Sequence, residues 1–395
     1  MKIQSNKRAN GNSNFLREIK SAPTNLRLIP ALFYLRITTA ILALAVLALS
    51  GCTTTGLFEP PAEKDFFPAD NPDICYMGRV DFSKPGEASF DWPGVSISFE
   101  FEGNYCGIVL KDGGNDYNYF IDNKFQGVII TTKEVELYEN VVGLPDTKHS
   151  LLITKRTEGS FGIGTFKGIF LEKGKKLFPV PSSFGLKIEF IGDSITCGYG
   201  DESIALLCGT HRNFENNYLA YCSLAARKLN AEYNIVAASG KGIIHNYGDS
   251  KKISDDPMPL YYERILFNDA ASKWNFKAWI PQVVVINLGT NDYLTEPKPD
   301  DEVFIDRYIE LISRVRMNYP TAEIFCLCGT MAVWPQCDNI QEVVKRSVDS
   351  GDARIHYVAT PSIAFTECGC DLHPNLVAHI TIADGLVKEI SKYIN

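Results

Sequence analysis

The sequence predicts an α/β fold class with two folded domains behind a leader segment. Residues 74–178, called the front domain, contain short strands separated by turn residues, which is typical of an all-β sandwich of the jelly-roll type. Residues 184–395, called the rear domain, alternate strand-like and helix-like segments. This alternation indicates a parallel sheet with helices on both faces. A chain of 395 residues has room for about two such domains.

Residues 1–51 have the composition of a signal peptide. A region with seven basic side chains and one acid precedes an apolar run of about 14 residues. This run is shorter than the ~20 residues that a membrane-spanning helix needs. Leu49-Ser50-Gly51-Cys52 resembles a bacterial lipobox, in which the cysteine is acylated. We therefore expect a lipoprotein, exported and anchored to a bacterial membrane through Cys52. The alternative is a plain secretion signal with an incidental cysteine.

The chain that follows the signal is strongly acidic. Residues 1–51 hold seven of the 39 basic side chains and one of the 47 acidic ones, so the remainder has a formal net charge of −14. Such a surface repels nucleic acid and anionic lipid. We expect neutral substrates such as sugars, no nucleic-acid partner, and membrane contact through the lipid anchor only. Residues 52–73 are rich in small and polar residues and proline, and this composition predicts a tether.

Ten cysteines follow Cys52, and an exported location permits disulfides. Their pairing cannot be deduced from spacing, although Cys326/Cys328 and Cys368/Cys370 are too close to pair within themselves. Neither C-x-x-C nor His-x-x-x-His occurs in the chain, so we expect no metal site.

In the front domain, residues 95–101 alternate apolar and polar side chains, as a half-buried strand does. Further predicted strands cover residues 104–110, 117–121, 128–130, 150–154 and 166–171. Residues 173–183 mark the domain boundary. In the rear domain, the predicted strands cover residues 187–191, 234–238, 283–288, 323–327 and 355–358. The predicted helices there cover residues 217–229, 301–318, 340–349 and 376–394.

Four residues with apt chemistry follow strands of the rear domain. Ser194 follows the first strand, Gly240 the second, and Asn291 the third, whereas His373 follows the last. The carboxyl ends of parallel strands share one edge of a sheet, and ligands bind there. The sequence therefore predicts one site that contains all four residues.

These residue types fit acyl transfer. A serine hydroxyl needs a base to become a good nucleophile, and His373 is the candidate. The attack places negative charge on an oxygen atom, and each fixed donor aimed at it lowers the barrier by ~3 kcal/mol. The expected donors are the backbone N–H groups of Ser194 and Gly240 and the side-chain amide of Asn291.

Each assignment has a structural alternative. Ser194 and Asn291 could cap helices, Gly240 could serve a plain turn, and His373 could lie in a surface turn before a proline. Among the other histidines, His379 is expected to be an ordinary helix residue. Three more have no motif support: His211, His245 and His356.

The segments that carry these residues resemble the SGNH (GDSL-type) hydrolase superfamily, which implies a flavodoxin-like α/β/α rear domain. They are Gly192-Asp193-Ser194, Ser239-Gly240, Gly289-Thr290-Asn291-Asp292 and Asp371-Leu372-His373-Pro374. In most members the triad acid lies three residues before the histidine. Here that position is Cys370, and Asp371 lies only two before. The segment Gly369-Cys370-Asp371-Leu372-His373-Pro374 is instead similar to carbohydrate esterase family 2, in which some members orient the histidine with a backbone carbonyl. We therefore expect Asp371 to act either through its side chain or through its carbonyl.

The front domain is similar to the N-terminal jelly roll of the same family, on the segments Gly78-Arg79, Trp92-Pro93-Gly94 and His149-x5-Lys155-Arg156-Thr157-Glu158. The resemblance implies a serine esterase that removes O-acetyl groups from plant polysaccharides such as xylan and glucomannan, without a metal or organic cofactor. Leu372 departs from the family, where an aromatic side chain is common. Trp334 is a candidate substrate-binding residue at the same edge, with core packing as the alternative.

Two other functions stay open at this point. One is a general acyl esterase or lipase of the GDSL type. The other is a glycan-binding surface lipoprotein without catalysis.

Overall fold

The computed structural model describes residues 63–181, 184–208 and 211–394. The predicted signal peptide, the lipidation site Cys52 and the first half of the predicted tether lie outside the described residues.

Two antiparallel sheets form the front domain and pack through a shared apolar core. In the first sheet the strand order is β1-β10-β5-β8, with β3 also paired to β10; in the second it is β11-β4-β9-β6-β7, with β2 also paired to β4. The strands are β1 (Lys64–Pro68), β2 (Cys75–Met77), β3 (Ala88–Phe90), β4 (Ser96–Gly103), β5 (Cys106–Lys111), β6 (Asp116–Ile121), β7 (Lys124–Ile130), β8 (Leu137–Val141), β9 (Thr147–Lys155), β10 (Gly164–Glu172) and β11 (Leu177–Phe178). The predicted sandwich is confirmed.

The tether predicted over residues 52–73 is wrong in its second half. Lys64–Pro68 form β1, which pairs with β10 along five residue pairs, and Ala69 is buried. The short strand lacks apolar–polar alternation and ends in proline, so its sequence does not distinguish it from a linker. It is held by its neighbour: Phe66, for example, packs against Phe170 of β10.

The rear domain contains a parallel five-stranded sheet in the order β13-β12-β14-β15-β16. Numbered within this sheet, the order is 2-1-3-4-5, which is that of flavodoxin-like folds, so this prediction is confirmed. The strands are β12 (Leu186–Gly192), β13 (Ala231–Ala237), β14 (Val283–Asn287), β15 (Glu323–Cys328) and β16 (Ile355–Ala359). Gly192 lies opposite both Ala237 and Asn287, so the first three strands end at one level.

The described residues of this domain contain six α-helices: α1 (Ser194–Cys197), α2 (Tyr221–Lys228), α3 (Thr290–Leu294), α4 (Asp301–Asn318), α5 (Gln336–Asp349) and α6 (Leu376–Ile390). One apolar cluster joins α2 and α6 to one face of the sheet, and a second joins α4 and α5 to the other face. The predicted helix over residues 217–229 starts late because Asn217–Leu219 form a separate 3₁₀ turn. In that turn, the Asn217 side chain donates to the carbonyls of Thr196 and Cys197.

Within the part of the chain that the structure describes, no helix combines the length and the apolar character needed to cross a bilayer.

The two domains meet through buried charged groups. The Arg79 guanidinium is fully buried, pairs with Glu189 of β12 at 2.9 Å, and donates to the carbonyls of Tyr262 and Arg264. The Asp91 carboxylate accepts hydrogen bonds from backbone N–H groups at positions 267 and 268. Removing one partner of a buried ion pair costs ~3–5 kcal/mol, so such contacts fix the front domain on the rear domain.

Candidate active site

Ser194 lies where β12 ends and α1 begins. Asp193 is the N-cap of this short helix, and its side chain accepts a hydrogen bond from the Ile195 N–H at 3.1 Å. Ser194 is therefore the first residue of the helix, where the backbone N–H has no partner within the helix. The cap belongs to Asp193, so the structure does not support Ser194 as the N-cap.

The structure brings His373 to Ser194, although 179 residues separate them in sequence. The distance between His373 Nε2 and Ser194 Oγ is 2.7 Å, and the hydroxyl donates to the ring nitrogen. His373 Nδ1 lies 3.1 Å from the Cys370 carbonyl oxygen and donates to it. The imidazole is thus held between a hydroxyl and a backbone carbonyl, which is the arrangement that a general base requires.

At Asp371, the backbone and not the side chain faces the His373 ring. The hydrogen bond of standard geometry from the ring goes to the Cys370 carbonyl, and the Asp371 carbonyl lies nearby. The exposed Asp371 carboxylate accepts from the Tyr199 hydroxyl at 2.8 Å. Asp371 has a φ of 51°, an unusual conformation for a residue with a side chain, and it turns its carboxylate to Tyr199. The Tyr199 ring also packs on His373, with 4.4 Å between the ring centroids.

The loop that carries His373 is tied to the segment that follows Ser194. A disulfide joins Cys208 to Cys370, and the Asp371 N–H donates to the Leu206 carbonyl at 2.7 Å. Gly200 has a φ of 66°, and a Cβ at this position would overlap Cys370, so glycine is required on both counts. These contacts hold residues 360–375, called the histidine loop, against residues 198–208, called the serine loop.

A second disulfide joins Cys328 to Cys337. The close pairs Cys326/Cys328 and Cys368/Cys370 do not bond within themselves, as expected. Among the described residues, six cysteines carry free thiols: Cys75, Cys106, Cys197, Cys222, Cys326 and Cys368.

Burial sets the protonation state of His373, the candidate base. It lowers the pKa of His373 below the ordinary histidine value, whereas the nearby carbonyls of Cys370 and Asp371 and the Asp371 carboxylate act in the opposite direction. Because the lowering dominates, the imidazole is neutral at pH 7. A neutral imidazole is the form that accepts a proton from serine.

Gly240 lies in the loop after β13, and Asn291 lies in the first turn of α3, which follows β14. Gly240 has a φ of 76°, which favours glycine. The Asn291 side-chain amide donates to the Lys241 carbonyl at 2.9 Å and to the Asp193 carboxylate at 3.4 Å. Burial raises the pKa of Asp193 to about 7, so the negative charge of its carboxylate beside this amide is reduced near neutral pH.

The sequence analysis overlooked two buried carboxylates that support these loops. Asp292 accepts hydrogen bonds from the backbone N–H groups of Ile243, Ile244 and His245 at 2.8, 2.8 and 2.9 Å. It thereby fixes the loop that follows Gly240. Its place in the Gly-Thr-Asn-Asp segment was the available signal.

The second carboxylate, Glu158, comes from the front domain. Its Oε2 accepts from the Ser239 N–H at 2.6 Å, one residue before Gly240, and contacts the Cys197 thiol at 3.6 Å. The front domain thus contributes directly to the support of the rear-domain loops. Its signal in the sequence was the family-like segment at residues 155–158.

Trp334 is 79% exposed, so core packing is wrong for this side chain. It lies in the loop after β15, which the Cys328–Cys337 disulfide closes. Leu372, next to the candidate base, is 50% exposed. An exposed aromatic face in such a loop can stack on a sugar ring.

The remaining histidines differ in their surroundings. His379 is buried in α6, where its Nδ1 accepts from the Tyr221 N–H at 3.0 Å, as an ordinary structural residue would. His245 and His356 bond to Lys251 and Glu323, respectively. His211, which has no motif support, stacks on Tyr199 with 4.4 Å between the ring centroids.

Two family models match the chain in succession. The one described as "Carbohydrate esterase 2 N-terminal" matches residues 76–181, and the one described as "GDSL-like Lipase/Acylhydrolase family" matches residues 190–379. The two matches correspond to the front and rear domains.

Curated relatives carry esterase names. "Cellulase/esterase CelE" of Acetivibrio thermocellus is 38% identical over 339 residues, which cover 81% of this chain and 39% of that protein. An "Acetylxylan esterase / glucomannan deacetylase" of Cellvibrio japonicus is 26% identical over 321 residues, which cover 78% of this chain and 87% of the relative. The chain therefore spans well under half of the first relative and most of the second.

A solved structure has the same two-domain architecture. The family two carbohydrate esterase from Clostridium thermocellum, in complex with cellohexaose, superposes with a TM-score of 0.76 and 35% identity. The match covers 81% of this chain and 98% of that one. Together with the two family models, this similarity shows that the chain belongs to carbohydrate esterase family 2.

Proposed function

We propose that this chain is a serine esterase that removes O-acetyl groups from plant cell-wall polysaccharides or oligosaccharides. The observation that carries the proposal is the 2.7 Å contact between Ser194 Oγ and His373 Nε2 at the carboxyl edge of the parallel sheet. The chemistry requires this contact, because the hydroxyl must lose its proton as it attacks the acetyl carbon.

In the first half of the reaction, Ser194 Oγ forms a bond to the acetyl carbon while its proton passes to His373 Nε2. The Cys370 carbonyl faces Nδ1–H and stabilises the imidazolium that forms. When the tetrahedral intermediate collapses, Nε2–H gives its proton to the departing sugar oxygen. The free sugar hydroxyl leaves, and the acetyl group remains on Ser194.

Three donors are assigned to the developing oxyanion. The N–H of Ser194 is at the start of α1, and the N–H of Gly240 is in a loop that Glu158 and Asp292 hold in place. The third is the Asn291 amide. The distance from Asn291 Nδ2 to the Asp193 carboxylate is 3.4 Å, longer than a usual hydrogen bond, so the N–H on this side is only weakly held and is the one assigned to the oxyanion.

In the second half, water takes the place of the sugar. His373 Nε2 removes a proton from the water as it attacks the acetyl carbon, and then returns the proton to Ser194 Oγ when the ester bond breaks. Acetic acid leaves and gives its remaining proton to the solvent as acetate forms, and the serine and the neutral imidazole are restored.

The substrate class is supported by the relatives and by the surface of the chain. The names of the relatives include acetylxylan esterase and glucomannan deacetylase, and the solved family member holds cellohexaose. Trp334 is exposed as a carbohydrate-stacking side chain would be. The acidic net charge is compatible with a neutral glycan.

We further propose that the chain is exported and anchored to a bacterial membrane through an acylated Cys52. The support is the order of basic region, short apolar run and Leu49-Ser50-Gly51-Cys52 in the sequence. The acyl chains would hold the enzyme at a membrane surface while its glycan substrate approaches from outside.

The proposed activity predicts that the full chain releases acetate from acetylated xylan or glucomannan. Ser194→Ala should lower kcat by at least ~10³-fold, because no other group replaces the nucleophile. Ser313→Ala, on the exposed surface of α4, is the matched control and should retain wild-type activity. The measurement is acetate release under saturating substrate, together with hydrolysis of aryl esters of increasing acyl length.

Two results would contradict this activity. Turnover confined to long acyl esters would favour the lipase alternative. Glycan binding with no acetate release, unchanged by Ser194→Ala, would favour the non-catalytic alternative.

The position of Asp371 predicts a pH effect. Since the Asp371 charge raises the pKa of His373 against the effect of burial, Asp371→Asn should lower that pKa further. The activity of an enzyme with a neutral base is lost as the pH falls through the pKa of the base. The acid limb of kcat/KM should therefore move to lower pH in Asp371→Asn, while kcat stays within ~10-fold of wild type.

His373→Ala is the reference for complete loss of the base. If Asp371→Asn loses as much activity as His373→Ala, the carboxylate is required and the Cys370 carbonyl alone does not orient the ring.

The lipid anchor predicts that Cys52→Ala abolishes labelling of the exported chain by a palmitate analogue and its retention in the membrane fraction. Cys75→Ala, which removes a free thiol of β2, should leave both unchanged. Equal labelling of wild type and Cys52→Ala would rule out this anchor.

A further inference from the structure

A second polar cluster lies near the Ser194–His373 pair, where the front and rear domains meet. It contains Glu158, just after β9, and His211 and Glu215 from the segment between α1 and α2. One atom of each side chain that could ligate a cation lies within 4.8 Å of the other two. No local motif in the sequence joins these three positions.

Hydrogen bonding does not account for this arrangement. His211 Nε2 is 3.8 Å from Glu158 Oε1 and 3.9 Å from Glu215 Oε2, and both distances are too long for hydrogen bonds. The His356–Glu323 pair elsewhere in the chain closes to 2.8 Å. The three side chains are therefore close together without bonding to each other directly.

Glu215 gives an independent indication of a ligand. Its side chain is 0% exposed, and neither carboxylate oxygen accepts a hydrogen bond of standard geometry from the described part of the chain. His211 Nε2 is equally unpartnered within the same residues. A buried carboxylate without a partner is costly, so a group that satisfies it is expected.

Nearby charges do not supply that group. The buried Lys155 ammonium donates to the backbone carbonyls of Thr157 and Glu158. Among the described residues, the Glu215 carboxylate keeps both oxygens without a hydrogen-bond partner beside this ammonium, and a bound cation would satisfy them.

Contacts with neighbouring residues hold two of the three side chains, His211 and Glu158, in place. Tyr199 stacks on the His211 ring at an interplanar angle of 19°, and Phe161 packs on it with 5.0 Å between the ring centroids. The Ser239 N–H occupies Glu158 Oε2 and leaves Oε1 directed at His211. The His211 side chain is 31% exposed, although its Nε2 atom is itself buried.

We propose that Glu158 Oε1, His211 Nε2 and Glu215 Oε2 bind one divalent first-row cation of the Zn²⁺ type. Two ligands at ~2.0–2.2 Å from Zn²⁺, at tetrahedral to trigonal angles, lie ~3.3–3.8 Å apart, so small movements bring these atoms into place. One imidazole with two carboxylates suits Zn²⁺ better than Mg²⁺ or Ca²⁺, which prefer oxygen ligands only. Two positive charges balance the two carboxylates.

This proposal departs from the sequence-based expectation of no metal site. That expectation considered ligands at short spacing, whereas here one ligand comes from the front domain and two from the rear domain. The cation joins the two domains, and through Glu158 it supports Ser239 and the Gly240 loop. Its role is to position this loop, and it takes no part in the acyl transfer.

The test uses the full chain, freed of metal with a chelator, dialysed against micromolar Zn²⁺ and measured by inductively coupled plasma mass spectrometry. Wild type should hold about one Zn²⁺ per chain. Glu215→Gln and His211→Gln should each weaken Zn²⁺ affinity by at least ~10-fold. His356→Gln, which removes a histidine from the other His–Glu pair, is the matched control and should bind like wild type.

A second readout is independent of activity and of metal counting. Zn²⁺ should raise the Tm of wild type, because a ligand that binds the folded state stabilises it, and should not raise the Tm of Glu215→Gln. Folded wild type that takes up no Zn²⁺, or uptake and Tm shifts that are equal in wild type and Glu215→Gln, would overturn the proposal. A loss of esterase activity in Ser194→Ala with full Zn²⁺ binding would leave it standing, so the metal site and the proposed function fail independently.

Discussion

The site depends on the union of two loops that are far apart in the sequence. The serine loop follows the first strand of the parallel sheet, and the histidine loop follows the last. Three contacts hold them together: the Cys208–Cys370 disulfide, the close approach of Gly200 to Cys370, and the hydrogen bond from the Asp371 N–H to the Leu206 carbonyl. Without this union, the imidazole of His373 has no fixed place beside Ser194. The sheet provides the level edge, and the joined loops provide the angstrom-scale geometry.

The front domain is part of the same structural unit. Arg79 and Asp91 reach into the rear domain with fully or almost fully buried charged groups. Glu158 extends this contact to Ser239, one residue before the expected oxyanion donor Gly240. Each of the three family-like front-domain segments includes residues at or next to these interdomain contacts. This placement gives a physical reason for the two domains to occur together, because the loop geometry of one depends on carboxylates of the other.

Much of the architecture could be predicted from the sequence. Residues 95–101 alternate apolar and polar side chains, and strand-like and helix-like segments alternate after residue 184. Both patterns are local, so a single sequence reveals them. Helix α4 was predicted to the residue, because its buried side chains repeat with helical spacing. Strand β1 was missed because only its pairing with β10 defines it.

The residues of the site could be predicted from the sequence, but the contacts among them could be predicted only in part. Ser194 and His373 could be placed at one edge, because the carboxyl ends of parallel strands coincide. The His373 ring bonds to the Cys370 carbonyl and not to the Asp371 side chain, because a positive φ at Asp371 turns that side chain away. The periodicity of the sequence carries no signal for a positive φ. The Glu158–His211–Glu215 cluster and the disulfides require three-dimensional proximity across the domains or between distant loops. Pairwise spacing in one sequence does not report such proximity.

In the structure, a main-chain carbonyl and not a carboxylate orients the imidazole of His373. The decisive experiment is ¹⁵N NMR of the histidine-labelled full chain at neutral pH, with the His373 signals among six histidines identified by their loss in His373→Gln. We expect the neutral tautomer that carries its proton on Nδ1, facing the Cys370 carbonyl, with an unprotonated Nε2 facing Ser194. A proton on Nε2 of the neutral ring, or an imidazolium that persists at a pH above the ordinary histidine pKa, would show that the carbonyl does not set the tautomer.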